Sequence, residues 1–153
     1  MSSAASGPHP VLERLRETVA GPLDRDAKLR EVVRMLAEER PHFTWTVIYL
    51  LEGDTLVLHN QVGSPTPHER IPIGRGICGL AVRERRTVIV PDVNADPRYL
   101  ACSLTTRSEI VVPIARGAAI VGEIDVDSDR LDAFGDADRA LLESAAELPA
   151  AVL

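Results

Sequence analysis

Two cysteines and one run of alternating acids are the residues of this chain best suited to chemistry. Cys78 sits in GRGICG and Cys102 in YLACS, both within residues 68–109. The glycines before Cys78 permit tight or left-handed backbone, and ICGLAVRERR reads as a short helix beginning near Gly76. A cysteine in the first turn of a helix faces unpaired N–H groups and the positive end of the dipole, which favour the nucleophilic thiolate. The plainer account is that Cys78 fills the core as a small apolar residue; the sequence leaves both open. Cys102 falls in a connection near Arg107, where a thiol is either exposed and reactive or incidental. Two thiols at loop borders favour redox use, because a thiol reductase needs one sulfur to attack and one to resolve.

The acids lie in GEIDVDSD. Strand alternation puts Glu123, Asp125 and Asp127 on one face and Ile124 and Val126 on the other. The commonest reason for such a pattern is a sheet whose acidic face meets water. Crowded carboxylates do something different: they raise one another's pKa until one holds a proton near neutrality. That group can donate to an oxygen while a neighbour accepts from an ammonium. Glu109, which opens the adjacent strand, is placed to join them. A divalent cation is a weaker reading, since this spacing is common without metal. His59 and His68 lack paired zinc spacing, there is no CxxC, and the G-R-G of Gly74 and Gly76 lacks the lysine of a phosphate loop. Trp45 and Tyr49 share a strand face, with Val47 between them, and core packing is their default role.

The elements that must position these groups follow from periodicity. Residues 1–9 read as a disordered tail and 10–153 as one domain. Pro10 suits the first turn of a helix bearing Leu12, Leu15 and Val19, which Gly21 and Pro22 end. Asp24 or Asp26 caps a second helix with Leu29, Val32, Val33 and Leu36 on one side. FTWTVIYLLEG and TLVLHNQVG form a hairpin, and 63–70 is a loop. TVIVPDV, EIVVPIA and AAIVGEIDVD are further strands, with a long connection at 94–107 of the kind that is usually functional or disordered. Asp136 caps a last helix carrying Leu141, Ala145 and Leu148, which Pro149 ends or bends. Hairpin-linked strands with helices at both ends of the chain predict an α+β fold, a central antiparallel sheet with the first, second and last helices on one face.

Composition excludes several classes. The net charge of −6 argues against nucleic acid or anionic membrane as the main partner. No apolar run is long enough to span a bilayer, and MSSAASGPHP is not built like a secretory signal. Two cysteines without such a signal point to a reducing cytoplasm, where a disulfide is transient and catalytic.

RIPIGRGICGLAV, then TVIVPDV, YLACS, TRSEIVVPI and GEIDVDSD occur together in order, and the match runs from WTVIYLLEG near Trp45 to the last helix with Phe134 and Asp138. This combination resembles the GAF-domain enzymes called free methionine-(R)-sulfoxide reductases. The resemblance implies a GAF sheet of about six strands, a homodimer, and thiol-dependent reduction of the free sulfoxide with a thioredoxin-type reductant and no cofactor or metal. By position it makes Cys102 the attacking thiol, Cys78 the cysteine of the glycine-rich motif, and Glu109, Asp125 and Asp127 the carboxylates of the methionine sulfoxide pocket. Many members carry a third cysteine where this chain has His68, as a two-cysteine subset does not. That departure leaves Cys78 as the resolving thiol within the chain. The alternative is a non-catalytic GAF module that binds a small ligand or senses redox state.

Overall fold

The computed structural model describes residues 9–99 and 105–153. The chain runs α1 (Pro10–Ala20), α2 (Arg25–Glu39), β1 (Trp45–Glu52), β2 (Thr55–Val62), β3 (Arg70–Pro72), α3 (Gly76–Glu84), β4 (Val88–Val90), β5 (Ser108–Arg116), β6 (Ala119–Ser128) and α4 (Asp136–Ala150), with a 3-10 turn at Val93–Ala95. The six strands form one sheet in the order β3-β2-β1-β6-β5-β4, with every neighbouring pair antiparallel. The predicted α+β architecture is the observed one.

Period-2 alternation splits the sheet into two chemically different faces. Ile48, Ile110, Val112, Ile124 and Val126 point to one side and pack with Leu15, Leu29, Val33, Leu36, Leu142 and Ala145 of α1, α2 and α4. Burying each such aliphatic side chain stabilises the fold by about 1.5–3 kcal/mol, so this layer is the principal core. Trp45, Val47, Tyr49 and Val111 point to the other side, where they meet α3 through Ile77, Cys78, Ala81 and Val82. Gly79 lets α3 sit close to the preceding segment, because a Cβ there would lie 2.3 Å from the Ile73 carbonyl oxygen.

Local rules account for the ends. Asp24, not Asp26, caps α2 by accepting from the Ala27 N–H at 2.9 Å. Asp26 instead meets His59 Nε2 at 2.9 Å, tying α2 to β2. Asp136 is not the cap of α4. Gly135 takes that position, and the Asp138 carboxylate accepts from the Gly135 N–H at 3.0 Å. Asp138 also receives Arg40 at 2.5 Å, so its acidity serves a tertiary tie as well as the helix dipole. Pro149 lies inside the last turn without ending α4 before Ala150. Strand β3, of which the sequence reading put Arg70 in the 63–70 loop and left Ile71 and Pro72 unassigned, is three residues long and too short to show alternation. The expected tail, apart from His9, lies outside the described residues.

Candidate active site

Strand β6 lies inside the sheet between β1 and β5, so its side chains are covered from both flanks. Three cross-strand rows build the site. Asp127 pairs with Trp45 and Glu109, Asp125 with Val47 and Val111, and Glu123 with Tyr49 and Pro113. Helix α3 closes over this face and places Cys78 against it. Glu109, Glu123, Asp125 and Asp127 are therefore buried, each no more than 3% exposed, and Cys78 is 5% exposed. The solvated acidic face, the commonest reading of the sequence pattern, is overturned. Alternation reveals which residues share a face, whereas α3 decides whether that face meets water.

The Cys78 thiol donates to Asp125 Oδ2 at 3.3 Å, and Thr106 Oγ1 donates to Asp127 Oδ2 at 3.2 Å. Among the described residues, Asp125 Oδ1, Asp127 Oδ1 and both Glu123 oxygens meet no N–H or hydroxyl donor, and the buried Trp45 Nε1 meets no acceptor; the acids have one another and the Cys78 thiol as neighbours. Tyr49 donates its hydroxyl to the His68 carbonyl at 2.7 Å, so the backbone at 68 borders the site. A cavity of about 40 Å³ lined by Thr44, Trp45, Ser64, Thr105, Thr106, Asp127, Ser128 and Asp129 opens at the Asp127 end. That is room for water rather than for an amino acid.

Burial dominates the electrostatics. It pushes the Glu123 carboxyl up to about 8 against a smaller opposing effect of the Cys78 thiol. Burial and the neighbouring Glu123 raise Asp125 to about 7. Glu109 is driven well above the usual carboxylate range by burial and by Asp125 and Asp127, and Asp127 by burial and by Asp125. At neutral pH this cluster holds protons, which an exposed set of carboxylates would not. The helix-dipole argument for a Cys78 thiolate fails here. Cys78 does sit in the first turn of α3, but burial first, then Asp125, Glu123 and Glu109, push the thiol well above its ordinary value. A nine-residue helix cannot offset desolvation plus three nearby acids.

The structure thus brings together four of the five residues singled out from the sequence: Cys78, Glu109, Asp125 and Asp127. Cys102, the fifth, lies outside the described residues. Sequence reasoning placed Glu123 among the crowded carboxylates of the acidic face but left it out of the substrate-binding set, and it missed Thr106 as a partner of Asp127. The alternation already carried the signal for Glu123. Nothing local marked Thr106, because only the β5–β6 pairing brings it to Asp127.

A model of the GAF domain matches residues 24–153. Among curated proteins, GAF domain-containing protein A of Dictyostelium discoideum is 35% identical over 132 residues, 86% of this chain and 83% of that protein. Free methionine-R-sulfoxide reductase of Escherichia coli strain K12 is 37% identical over 120 residues, 78% of this chain and 72% of that protein. The X-ray structure of free methionine-R-sulfoxide reductase from Neisseria meningitidis in complex with its substrate superposes with a TM-score of 0.86 at 34% identity, over 96% of this chain and 92% of that one. The chain belongs to the GAF-domain free methionine-R-sulfoxide reductase family. Among the described residues no helix is long and apolar enough to cross a membrane.

Proposed function

We propose that this chain reduces free methionine-(R)-sulfoxide to methionine by thiol chemistry. The observation that carries the reading is the buried carboxyl cluster, which retains protons near neutrality beside a thiol. A protonated carboxyl donates to the sulfoxide oxygen and polarises the S–O bond, while an ionised neighbour accepts from the substrate ammonium. The Cys102 sulfur attacks the substrate sulfur. Oxygen passes to Cys102, which becomes a sulfenic acid, and the sulfoxide leaves reduced as methionine. The Cys78 thiol then condenses with the sulfenic acid, releasing water and forming a disulfide. A thioredoxin-type dithiol reduces that disulfide and is itself oxidised. The raised Cys78 thiol supports this division of labour, since the sulfur that attacks first needs thiolate character and Cys78 is held as a thiol.

Glu109, Asp125 and Asp127 are the substrate-binding carboxylates in this reading, and a homodimer in the cytoplasm is its setting. The test is turnover of the free R and S sulfoxides with thioredoxin recycling, joined to single-turnover measurements on variants. Reductant consumption with the R form is expected. Cys102→Ser should abolish single turnover, and Cys78→Ser should keep one turnover but block recycling. Loss of single turnover only in Cys78→Ser exchanges the two roles. Ligand binding without reductant consumption sinks the activity in favour of a GAF binding module.

A further inference from the structure

On the helices of the main core, Arg16, Arg34 and Arg139 each meet a carboxylate at 2.7–3.1 Å. Around the solvent side of α3 the pattern changes. Arg75, Arg83, Arg85 and Arg116 are exposed, and among the described residues none of them forms an ion pair; Arg86 is held by Glu84 at 2.6 Å. Two bonds to backbone fix this group without discharging it. Arg83 Nη1 donates to the Ile73 carbonyl, so its guanidinium reaches back along α3 to the first turn, which carries Cys78 and follows Arg75. Arg85 Nη2 donates at 2.5 Å to the carbonyl of Ala118, in the turn that follows Arg116. Asp54 flanks the group, its carbonyl accepting from the Ile73 N–H. Five arginines against Glu84 and Asp54 leave this end of the molecule at +3 in a chain of −6. The helix dipole accounts for Arg83 and Arg85 at the C-terminal end of α3, but it opposes Arg75 at the N-cap and does not reach Arg116.

We propose that this arginine surface docks an acidic dithiol protein, the reductant that recycles the Cys78–Cys102 disulfide. The partner's role rests on the proposed reductase activity. Charge selects an acidic partner: the rest of the chain repels it and only this end attracts it, so the patch sets both encounter rate and orientation. A nucleic acid is a far longer polyanion and meets the same repulsion over more of its length. A second copy of the chain would dock its acidic remainder here through a heterologous contact, which does not close into a dimer. Placement selects the dithiol. Helix α3 holds Cys78 on its inner side and the arginines on its outer side, so a partner seated on α3 stands beside the element that carries the resolving sulfur. One partner thiolate attacks the disulfide and releases one cysteine of the chain. The partner's second sulfur then displaces the other, so two electrons and two protons pass to the chain and the partner leaves as a disulfide.

The test compares two reductants in turnover of free methionine-(R)-sulfoxide: a thioredoxin of net negative charge, and dithiothreitol, which is small and uncharged. For thioredoxin, kcat/KM should fall roughly tenfold between about 20 and about 200 mM salt, while the dithiothreitol rate stays level. Arg83→Glu combined with Arg116→Glu should raise KM for thioredoxin roughly tenfold at low salt and flatten the salt dependence, with single turnover and dithiothreitol recycling unchanged. Arg116→Glu alone changes an exposed side chain at the hairpin end, so it keeps the test readable if the double variant folds poorly; a rise of roughly threefold in KM is expected. Unchanged KM for thioredoxin, or equal losses with both reductants, overturns the surface. Docking is also read without substrate, by calorimetric titration at low salt with a thioredoxin whose active-site cysteines are serines. Binding lost on charge reversal, in a chain that consumes no sulfoxide, refutes the activity and leaves an acidic-protein surface standing. Binding that ignores charge reversal, or tighter retention of duplex DNA than of thioredoxin, overturns it whatever the activity.

Discussion

Ile124 and Asp125 are neighbours in β6 and equally inaccessible to water, yet they face opposite kinds of interior. Ile124 meets the aliphatic side chains of α1, α2 and α4, where burial is itself the stabilising event. Asp125 meets a thiol and other carboxyls, where burial costs free energy and is offset only by retained protons and a few hydrogen bonds. Depth therefore does not separate core from site in this molecule. The partners do: one face of the sheet is organised to hold the fold together, and the other keeps reactive groups out of water at a cost in stability.

The sharpest way to break this contrast is to move the chemistry of one face to the other. Ile124→Asp places a carboxyl among aliphatic side chains with nothing to share its charge, and should destabilise by more than about 4 kcal/mol. Urea denaturation measures it; tolerance within about 1 kcal/mol would mean that the two faces are not distinct. Next in size is Asp125→Asn. It should lower kcat/KM for free methionine-(R)-sulfoxide by roughly 10²–10³-fold, with folding stability held or raised. Full activity in that variant would return Asp125 to a merely buried acid.

Gly79→Ala tests how closely α3 must lie on the reactive side. The added Cβ would meet the Ile73 carbonyl oxygen at 2.3 Å, and a shift of α3 should cost about 1–3 kcal/mol. An unchanged Tm would show that α3 has slack. The smallest effect at neutral pH belongs to Glu123→Gln, and it grows as the solution turns alkaline. Glu123 titrates at about 8 when folded, above its ordinary 4.5, so the folded chain binds the extra proton between those values. Its contribution to stability is full below about 4.5 and declines as pH rises towards about 8. Glu123→Gln should flatten that decline, gaining roughly 2–4 °C in Tm at alkaline pH for each kcal/mol recovered. Identical Tm profiles against pH would show that Glu123 is relieved by other means.

The elements were legible because their signals are local. A 3.6-residue period marks α1, α2 and α4, and the two-residue period with turn residues marks the hairpins. Where a local signal was faint or had rivals, the expectation slipped. Three residues are too few to reveal β3, and both Asp24 and Asp26 suit a cap until His59 engages one of them. The family, too, was readable, because GRGICG and GEIDVDSD stand in fixed order along the chain.

What the sequence determined by itself is which side chains share a face, since the direction of each Cβ follows from the backbone period alone. It could not decide what that face meets. The placement of α3 over β1, β6 and β5 turned an acidic stripe that reads as solvated into a buried cluster. The same placement reversed the expected character of Cys78. The first turn of a helix favours thiolate by a fixed local field, but desolvation and the three acids that the fold delivers favour thiol more strongly. Protonation state depends on the dielectric and on charges distant in sequence, and only the tertiary structure assembles those.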